Sequence, residues 1–492
     1  MMVKRLIFFF ACLCPLSCYC QAQENRLTTT DTVVTSSEGV KVKVQFGILK
    51  VPENRDAAHS RLIDIHFALM KTTSAGITPP LIYLEGGGSP SSWQAKDPHY
   101  LTDWLPYLAQ SDVLLIDQRG THDRDLVYIW EGEFPTDVLV SEDKAARHYQ
   151  KMATRALEVF RERGVDVTGY HLAENARDVE EVTAALGLEK FALFGYSYGT
   201  RISLMLLQAL PRRISRAVLA ATDGLDQSFN LPADADAHFA KLSAMVAADT
   251  ALSRDIPDLA ALLRQVMQNL KNEPVEVTVT HPLTGTSHQI LVGPLGLALI
   301  LRMDMDDATD IPVIPRLLYS LSKGNTKILR WFVQKRIVYF LAVPANGLSQ
   351  GIESGVAPNR RQKIRRQAHS SLFGNSVNFP FYLVLDTWPK TREPLISYVD
   401  TLTVPVLFIS GELDARTPPS QAQEIRKRYP SSAHLVVENA GHEQLLSHPE
   451  IKKRVMQFLN GKGLKDEQIH AGSILFIPLT GSDLPEAHPS LE

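Results

Sequence analysis

The stretch Phe191-Ala192-Leu193-Phe194-Gly195-Tyr196-Ser197-Tyr198-Gly199-Thr200-Arg201 decides the reading of this chain. Four apolar residues suit a buried strand, a Gly-x-Ser-x-Gly pentapeptide follows at once, and helix-like sequence begins near Arg201. A serine on a sharp strand-to-helix turn is pushed clear of the sheet, and the turn closes only if the residues two before and two after it lack side chains. Gly195 and Gly199 meet that need. The pentapeptide alone is as often an ordinary Gly-bracketed turn, so its meaning rests on the partners found elsewhere.

A serine hydroxyl is a poor nucleophile at neutral pH and needs a base to take its proton and a carboxylate to orient that base. Asp414 follows the strand-like Pro405 to Ser410 in Gly411-Glu412-Leu413-Asp414, and His442 follows Leu435 to Val437 in Asn439-Ala440-Gly441-His442-Glu443. Singly, Asp414 reads as a helix cap before Pro418 and His442 as a solvated turn. Together they give the order Ser, Asp, His that α/β-hydrolases use, each after a strand's end. Glu412 is the rival acid. The backbone N–H of Tyr198 is one expected oxyanion donor, and Gly87, in Glu85-Gly86-Gly87-Gly88-Ser89, is the second, with Gly86 and Gly88 as neighbours. No lysine follows these glycines as it would in a phosphate-binding loop.

The flanking pattern predicts an α/β fold with a mostly parallel sheet. Val40 to Ile48 and Ile63 to Leu69 alternate with a period of two, as half-buried antiparallel strands do. The continuous apolar runs Leu81–Leu84, Val113–Ile116, Phe191–Phe194, Ala217–Ala220, Val406–Ile409 and Leu435–Val437 suit strands covered on both faces. From about Leu225 the strand rhythm gives way to helical patterns and one small hairpin, Val275–Val279 with Ile290–Val292. The expected organisation is a signal peptide over 1–22, a first core segment over 23–224, a large, mainly helical cap over 225–398, a second core segment over 399–462 and a tail over 463–492, with Ile474–Ile477 as an added strand.

Lys4 and Arg5 precede an apolar run from Leu6 to Leu16, and Cys20-Gln21-Ala22 offers a cleavage site, so export with maturation after Ala22 is expected. The run is too short for a bilayer span and contains Pro15; a lipoprotein anchored at Cys18 is the alternative. All four cysteines fall within residues 1–22. The mature chain has no thiol chemistry and no disulfide to rely on despite an oxidising destination. Loss of Lys4 and Arg5 takes the formal charge from -3 to -5, which with no long basic run argues against nucleic acid as a partner. No cofactor and no metal are implied, and the oligomeric state is not readable.

Gly86-Gly87-Gly88-Ser89-Pro90, Asp117-Gln118-Arg119-Gly120-Thr121, Gly195-Tyr196-Ser197-Tyr198-Gly199-Thr200, Gly411-Glu412-Leu413-Asp414 with Thr417-Pro418-Pro419, and Gly441-His442 together resemble the serial motifs of the proline iminopeptidase and tripeptidyl aminopeptidase family of α/β-hydrolases. The resemblance spans roughly Lys41 to Asn460. It implies a serine exopeptidase acting on short peptides with a free amino terminus, with a helical cap shaping the pocket. Gly88 stands where the family carries proline, Glu85 where iminopeptidases carry histidine, and His122-Asp123-Arg124 where Gly-x-Ser is usual. The cap cysteine of the tripeptidyl branch is missing around Tyr382–Trp388. An esterase or other ester or amide hydrolase on the same triad is the alternative substrate class, and a catalytically dead binding protein is the reading from another class. For amine recognition the candidates are Glu85, with a salt bridge to Arg119 or Arg124 as its competing role, and Asp304 and Asp306 in the acidic cluster that includes Asp307 and Asp310. Asp117 and Arg119 read as a structural pair near the elbow.

Overall fold

The computed structural model describes residues 26–72, 78–282, 285–352, 358–390 and 401–481. The expected signal, with Cys18 and Ala22, and the junction near residue 398 lie outside the described residues. In chain order the strands are β1 (Leu27–Thr35), β2 (Lys41–Pro52), β3 (Leu62–Met70), β4 (Leu81–Leu84), β5 (Val113–Ile116), β6 (Val127–Ile129), β7 (Phe191–Tyr196), β8 (Ile214–Ala220), β9 (Val275–Thr280), β10 (Ser287–Val292), β11 (Ala342–Pro344), β12 (Val406–Gly411), β13 (Ser432–Glu438) and β14 (Glu467–His470). Ten of them form one sheet in the order β1-β2-β3-β5-β4-β7-β8-β12-β13-β14. The first four in that order pair antiparallel, and every pairing from β5 to β14 is parallel.

The apolar runs are continuous because both faces of the central strands are covered. Ile82, Leu84, Leu114, Ile116, Leu193, Leu219 and Phe408 belong to one core. Their immediate neighbours Leu81, Tyr83, Val113, Leu115, Phe194, Val218 and Leu407 belong to the core on the opposite face. The helix Glu142–Glu162 buries Ala145, Tyr149, Met152, Ala156 and Phe160 on one face. It stops before Gly164, whose φ of 72° a side chain rarely tolerates.

Between β8 and β12 the chain leaves the sheet for a largely helical insertion containing the β9–β10 hairpin, in which Ile290 pairs with Val277 and Val292 with Val275. Its helix Leu259–Asn272 is capped by the Asp258 carboxylate, which accepts from Ala261 N–H at 2.8 Å. The insertion is stitched back to the core where β11 pairs antiparallel with β6 and where Tyr149 Oη donates to the Phe340 carbonyl at 3.0 Å.

Two edges differ from the expectation. Strand β1, with only Leu27 and Val34 partly sheltered, adds to the antiparallel side. At the other edge the added strand is β14, not Ile474–Ile477. There the pairing is made by main chain and only Ile469 is buried, while Ile474, Phe476 and Ile477 are used for packing against the main core.

Candidate active site

The loops that leave β4, β5, β7, β8, β12 and β13 all emerge at the C-terminal ends of parallel strands, and so meet along one rim of the sheet. Ser197 sits on the β7 loop with φ 51° and ψ -122°, a conformation an L-residue adopts at a cost of roughly 1–3 kcal/mol. The turn is tight enough to need its glycines. A Cβ on Gly199 would lie 2.0 Å from the Leu84 carbonyl oxygen, and one on Gly195 would lie 2.6 Å from the Gly199 carbonyl oxygen. Ser197 N–H donates to the Ala220 carbonyl at 3.0 Å, so β8 holds the elbow from the side.

His442 comes from the loop after β13 and Asp414 from the loop after β12. His442 Nε2 lies 3.1 Å from Ser197 Oγ, and Nδ1 lies 2.8 Å from Asp414 Oδ2. Asp414 also accepts from Thr417 Oγ1 at 2.6 Å, Thr417 N–H at 2.8 Å and Arg416 N–H at 2.9 Å. Burial disfavours its ionised form, but His442 and the Thr417 donors outweigh that and hold the carboxyl down at about 2. A carboxylate that stays charged in a dry site can fix the imidazole's tautomer. The main chain of His442 is held by Tyr196, whose Oη donates to the His442 backbone carbonyl at 3.0 Å. His442 N–H donates to the Asp306 carbonyl at 2.7 Å. Glu412 lies outside this chain of bonds; its carboxylate is 3.5 Å from Lys241 Nζ.

The glycine loop after β4 lies against the elbow: a Cβ on Gly86 would sit 3.4 Å from Ser197 Cβ, and one on Gly87 3.4 Å from Tyr198 Cβ. Gln118 Nε2 donates to the Glu85 carbonyl at 2.6 Å and to the Gly86 carbonyl at 2.8 Å. Because a trans peptide points its C=O and N–H in opposite directions, fixing the Gly86 carbonyl also fixes the Gly87 N–H. Gly86 N–H is consumed by the Glu85 carboxylate at 2.8 Å.

The secondary candidates are placed differently from the expectation. Glu85 makes no salt bridge to Arg119 or Arg124; it accepts from Tyr83 Oη at 3.0 Å, Gln94 Nε2 at 3.1 Å and Gly86 N–H, and burial raises its pKa. Asp304 is buried against Arg336 at 2.6 Å and Lys335 at 3.3 Å. Asp306 is buried against Arg416 at 2.9 Å. Charges buried this deeply are stable when paired, as Asp304 and Asp306 are; Glu85 is held by neutral donors, and none of the three carboxylates lies on the cavity wall. Asp117 and Arg119 do not pair with each other. Asp117 accepts from Ser91 and Ser92 N–H and from His122 at 2.6 Å, anchoring the end of the glycine loop. Arg119 pairs with Asp178 at 2.7 Å and Glu174 at 3.2 Å.

A cavity of about 780 Å³ opens onto Ser197 and is walled by His122, Asp223, Arg302 and Arg416 among others. A second chamber of about 870 Å³ meets it at Gly87, Gly88, Pro344, Gly347 and Phe381 and is lined by Tyr149, Val338, Leu348 and Val384. Asp223 and Arg302 were not singled out from the sequence. Asp223 follows β8 directly, and that position at a strand's C-terminal end was the available signal. Its carboxylate lies 3.9 Å from Arg201 Nε, and burial, only partly offset by Arg201, raises its pKa. Among the described residues no three His, Cys, Asp or Glu side chains gather as a metal site.

A family model described as the alpha/beta hydrolase fold matches residues 79–284, and one described as TAP-like protein matches 382–469. Solved structures similar to this chain include the Mycobacterium tuberculosis protein Rv0554, at 13% identity over 84% of this chain and 97% of that one, with a TM-score of 0.38. An epoxide hydrolase from an endophytic Streptomyces is 16% identical over 90% and 98%, with a TM-score of 0.36. The 2-hydroxy-6-oxo-6-phenylhexa-2,4-dienoate hydrolase of a Rhodococcus strain is 13% identical over 88% and 99%, also at 0.36. No curated protein matches the chain. The chain has the α/β-hydrolase fold, and the two matched models support a hydrolase with a TAP-like segment.

Proposed function

We propose that this chain is an exported serine hydrolase that releases N-terminal residues or short peptides through an acyl-enzyme. The observation that carries this reading is the unbroken relay from Ser197 Oγ to His442 Nε2 at 3.1 Å and from His442 Nδ1 to Asp414 at 2.8 Å. Ser197 Oγ attacks the scissile carbonyl as His442 Nε2 takes its proton, and the N–H groups of Tyr198 and Gly87 hold the oxyanion. His442 then gives the proton to the leaving amine as the C–N bond breaks, and water, activated by the same imidazole, releases the acyl group. Asp123 and Asp223 are the carboxylates on the cavity wall; Asp123 pairs with Arg61 at 3.1 Å, so Asp223, rather than Glu85, Asp304 or Asp306, is the one assigned to a free amino terminus. The TAP-like match over 382–469 supports the peptidase branch. Export rests on the sequence of residues 1–22.

The second chamber favours one further reading. Its apolar lining suits a bulky acyl group, so an ester or other amide hydrolase on the same machinery is the alternative. Two measurements test the proposal. A fluorophosphonate should label Ser197, and Ser197→Ala should lose both labelling and at least about three orders of magnitude in turnover; an unlabelled wild type removes the nucleophile. A panel of aminoacyl and peptidyl amides with free and blocked amino termini, beside simple esters, separates the substrate classes. Preference for blocked substrates abandons the aminopeptidase branch.

A further inference from the structure

Arg302 is the feature of the active-site cavity that the hydrolytic mechanism leaves unused. It lies near the C-terminal end of the helix Pro294–Asp304, and its side chain forms part of the cavity wall with Ser197, Arg416 and Thr417. Its Nε donates to the Val377 carbonyl at 3.1 Å. Among the described residues no carboxylate lies within 4 Å of its guanidinium, and its Nη groups have no acceptor. The other cations around it are provided for: Arg416 pairs with Asp306 and with Glu443 at 3.4 Å, and Arg336 pairs with Asp304 at 2.6 Å. Arg124, also on the cavity wall, is exposed and has water to solvate it. Arg302 is only half-buried, its Nη groups face the cavity, and the neighbouring charges are two further guanidiniums and the Asp306 carboxylate that Arg416 already holds.

Burial lowers the Arg302 pKa from its usual range; Tyr339 and the more distant Asp306 oppose that, while Arg416 and Arg336 add to it. A guanidinium in such a place is costly to keep unless an anion completes it, and its planar fork fits a carboxylate through two parallel hydrogen bonds. Its position bears on which part of a substrate carries that anion. Arg302 shares the wall with Arg416, whose partner Asp306 accepts the His442 N–H. That chain of contacts connects the Arg302 part of the wall to the loop carrying His442, the group that protonates the leaving amine.

We infer that Arg302 binds a carboxylate of the substrate's leaving portion, which makes the preferred substrates short peptides with a free C-terminal carboxylate. This rests on the hydrolase reading of Ser197 and adds to it. With Asp223 on the same wall, the cavity then meets a short zwitterionic peptide with one charge of each sign. The same contact could be made by an acidic side chain in the leaving portion, and the test separates the two sources.

Alanine peptides of two to five residues, each as free acid and as C-terminal amide, together with amides carrying one glutamate in the last position, provide the probes. Wild type should favour the free acid over the amide by at least about tenfold in kcat/KM for one or more lengths, mainly through KM. In Arg302→Met the acid-to-amide ratio should fall to near one, and Arg302→Lys should retain part of it. Reading the ratio within each variant cancels any general loss of turnover. A glutamate amide that matches the free acid moves the carboxylate to a side chain and overturns the terminal assignment. Equal rates for acid and amide in an active wild type, or an unchanged ratio in Arg302→Met, overturn the Arg302 role and leave the hydrolase reading standing. Failure of every probe, with no fluorophosphonate labelling of Ser197, removes both.

Discussion

The peptide plane between Gly86 and Gly87 is held from behind by Gln118, which is itself held by Gln350 Nε2 at 3.2 Å. Gln118 touches no reacting atom in the proposed mechanism, yet it fixes the direction of the Gly87 N–H. Gln118→Ala should therefore lower kcat by roughly tenfold or more with a much smaller change in KM, since a slack oxyanion donor weakens only the transition state. Steady-state kinetics on one substrate checks this, and a loss confined to KM would count against it. At this scale the sequence was most informative where chemistry demands one residue type at one place. Gly195, Ser197, Gly199, Asp414 and His442 could be picked out because each follows a readable strand. Glu85, Asp304 and Asp306 lie off the cavity wall, which was not legible, because an acidic residue looks the same in sequence whether it faces a cavity, is buried against Arg336 or Arg416, or is held by neutral donors such as Tyr83 and Gln94. Asp223 and Arg302 escaped for the same reason in reverse.

Strands β4, β5, β7, β8, β12 and β13 each deliver one loop to the rim of the site, and the loops are tied to the scaffold by buried polar groups. The clearest case is Arg119, fully buried at the end of the loop after β5, which binds Asp178 and donates to the Glu53 carbonyl at 2.6 Å. It joins the β2 end, the β5 loop and the helix Leu172–Ala185. Removing one side of such a pair leaves buried carboxylates undercompensated, so Arg119→Met should cost about 3–5 kcal/mol in urea unfolding. A loss below about 1 kcal/mol would mean that Arg55, which also pairs with Glu174 and Asp178, suffices alone. The double-faced strands were legible because burial on both sides forces unbroken apolar runs. β1 and β14 were not, because edge strands need only backbone pairing and their sequences, Leu27–Thr35 and Glu467–His470, are mostly polar.

For the molecule as a whole, the Asp414 carboxylate links stability to acidity. Its folded pKa, about 2, lies below the ordinary aspartate value near 3.9, so the native state favours the ionised form. That stabilisation, roughly 2 kcal/mol, is fully present above about pH 4 and is lost as the pH falls towards 2. The difference in Tm between wild type and Asp414→Asn should therefore shrink as the pH is lowered from about 5 to 2. A difference that stays constant would show that the carboxylate's charge contributes nothing. The insertion between β8 and β12 also supplies the Asp306 carbonyl that receives the His442 N–H. A graft that replaced this insertion with a foreign one, to change substrate range, would take away a main-chain support of the loop that carries the proton-shuttling histidine, along with the pocket walls. Engineers seeking new selectivity here would do better to resculpt the chamber beside Leu348 and Val384 and leave the segment through residue 306 in place.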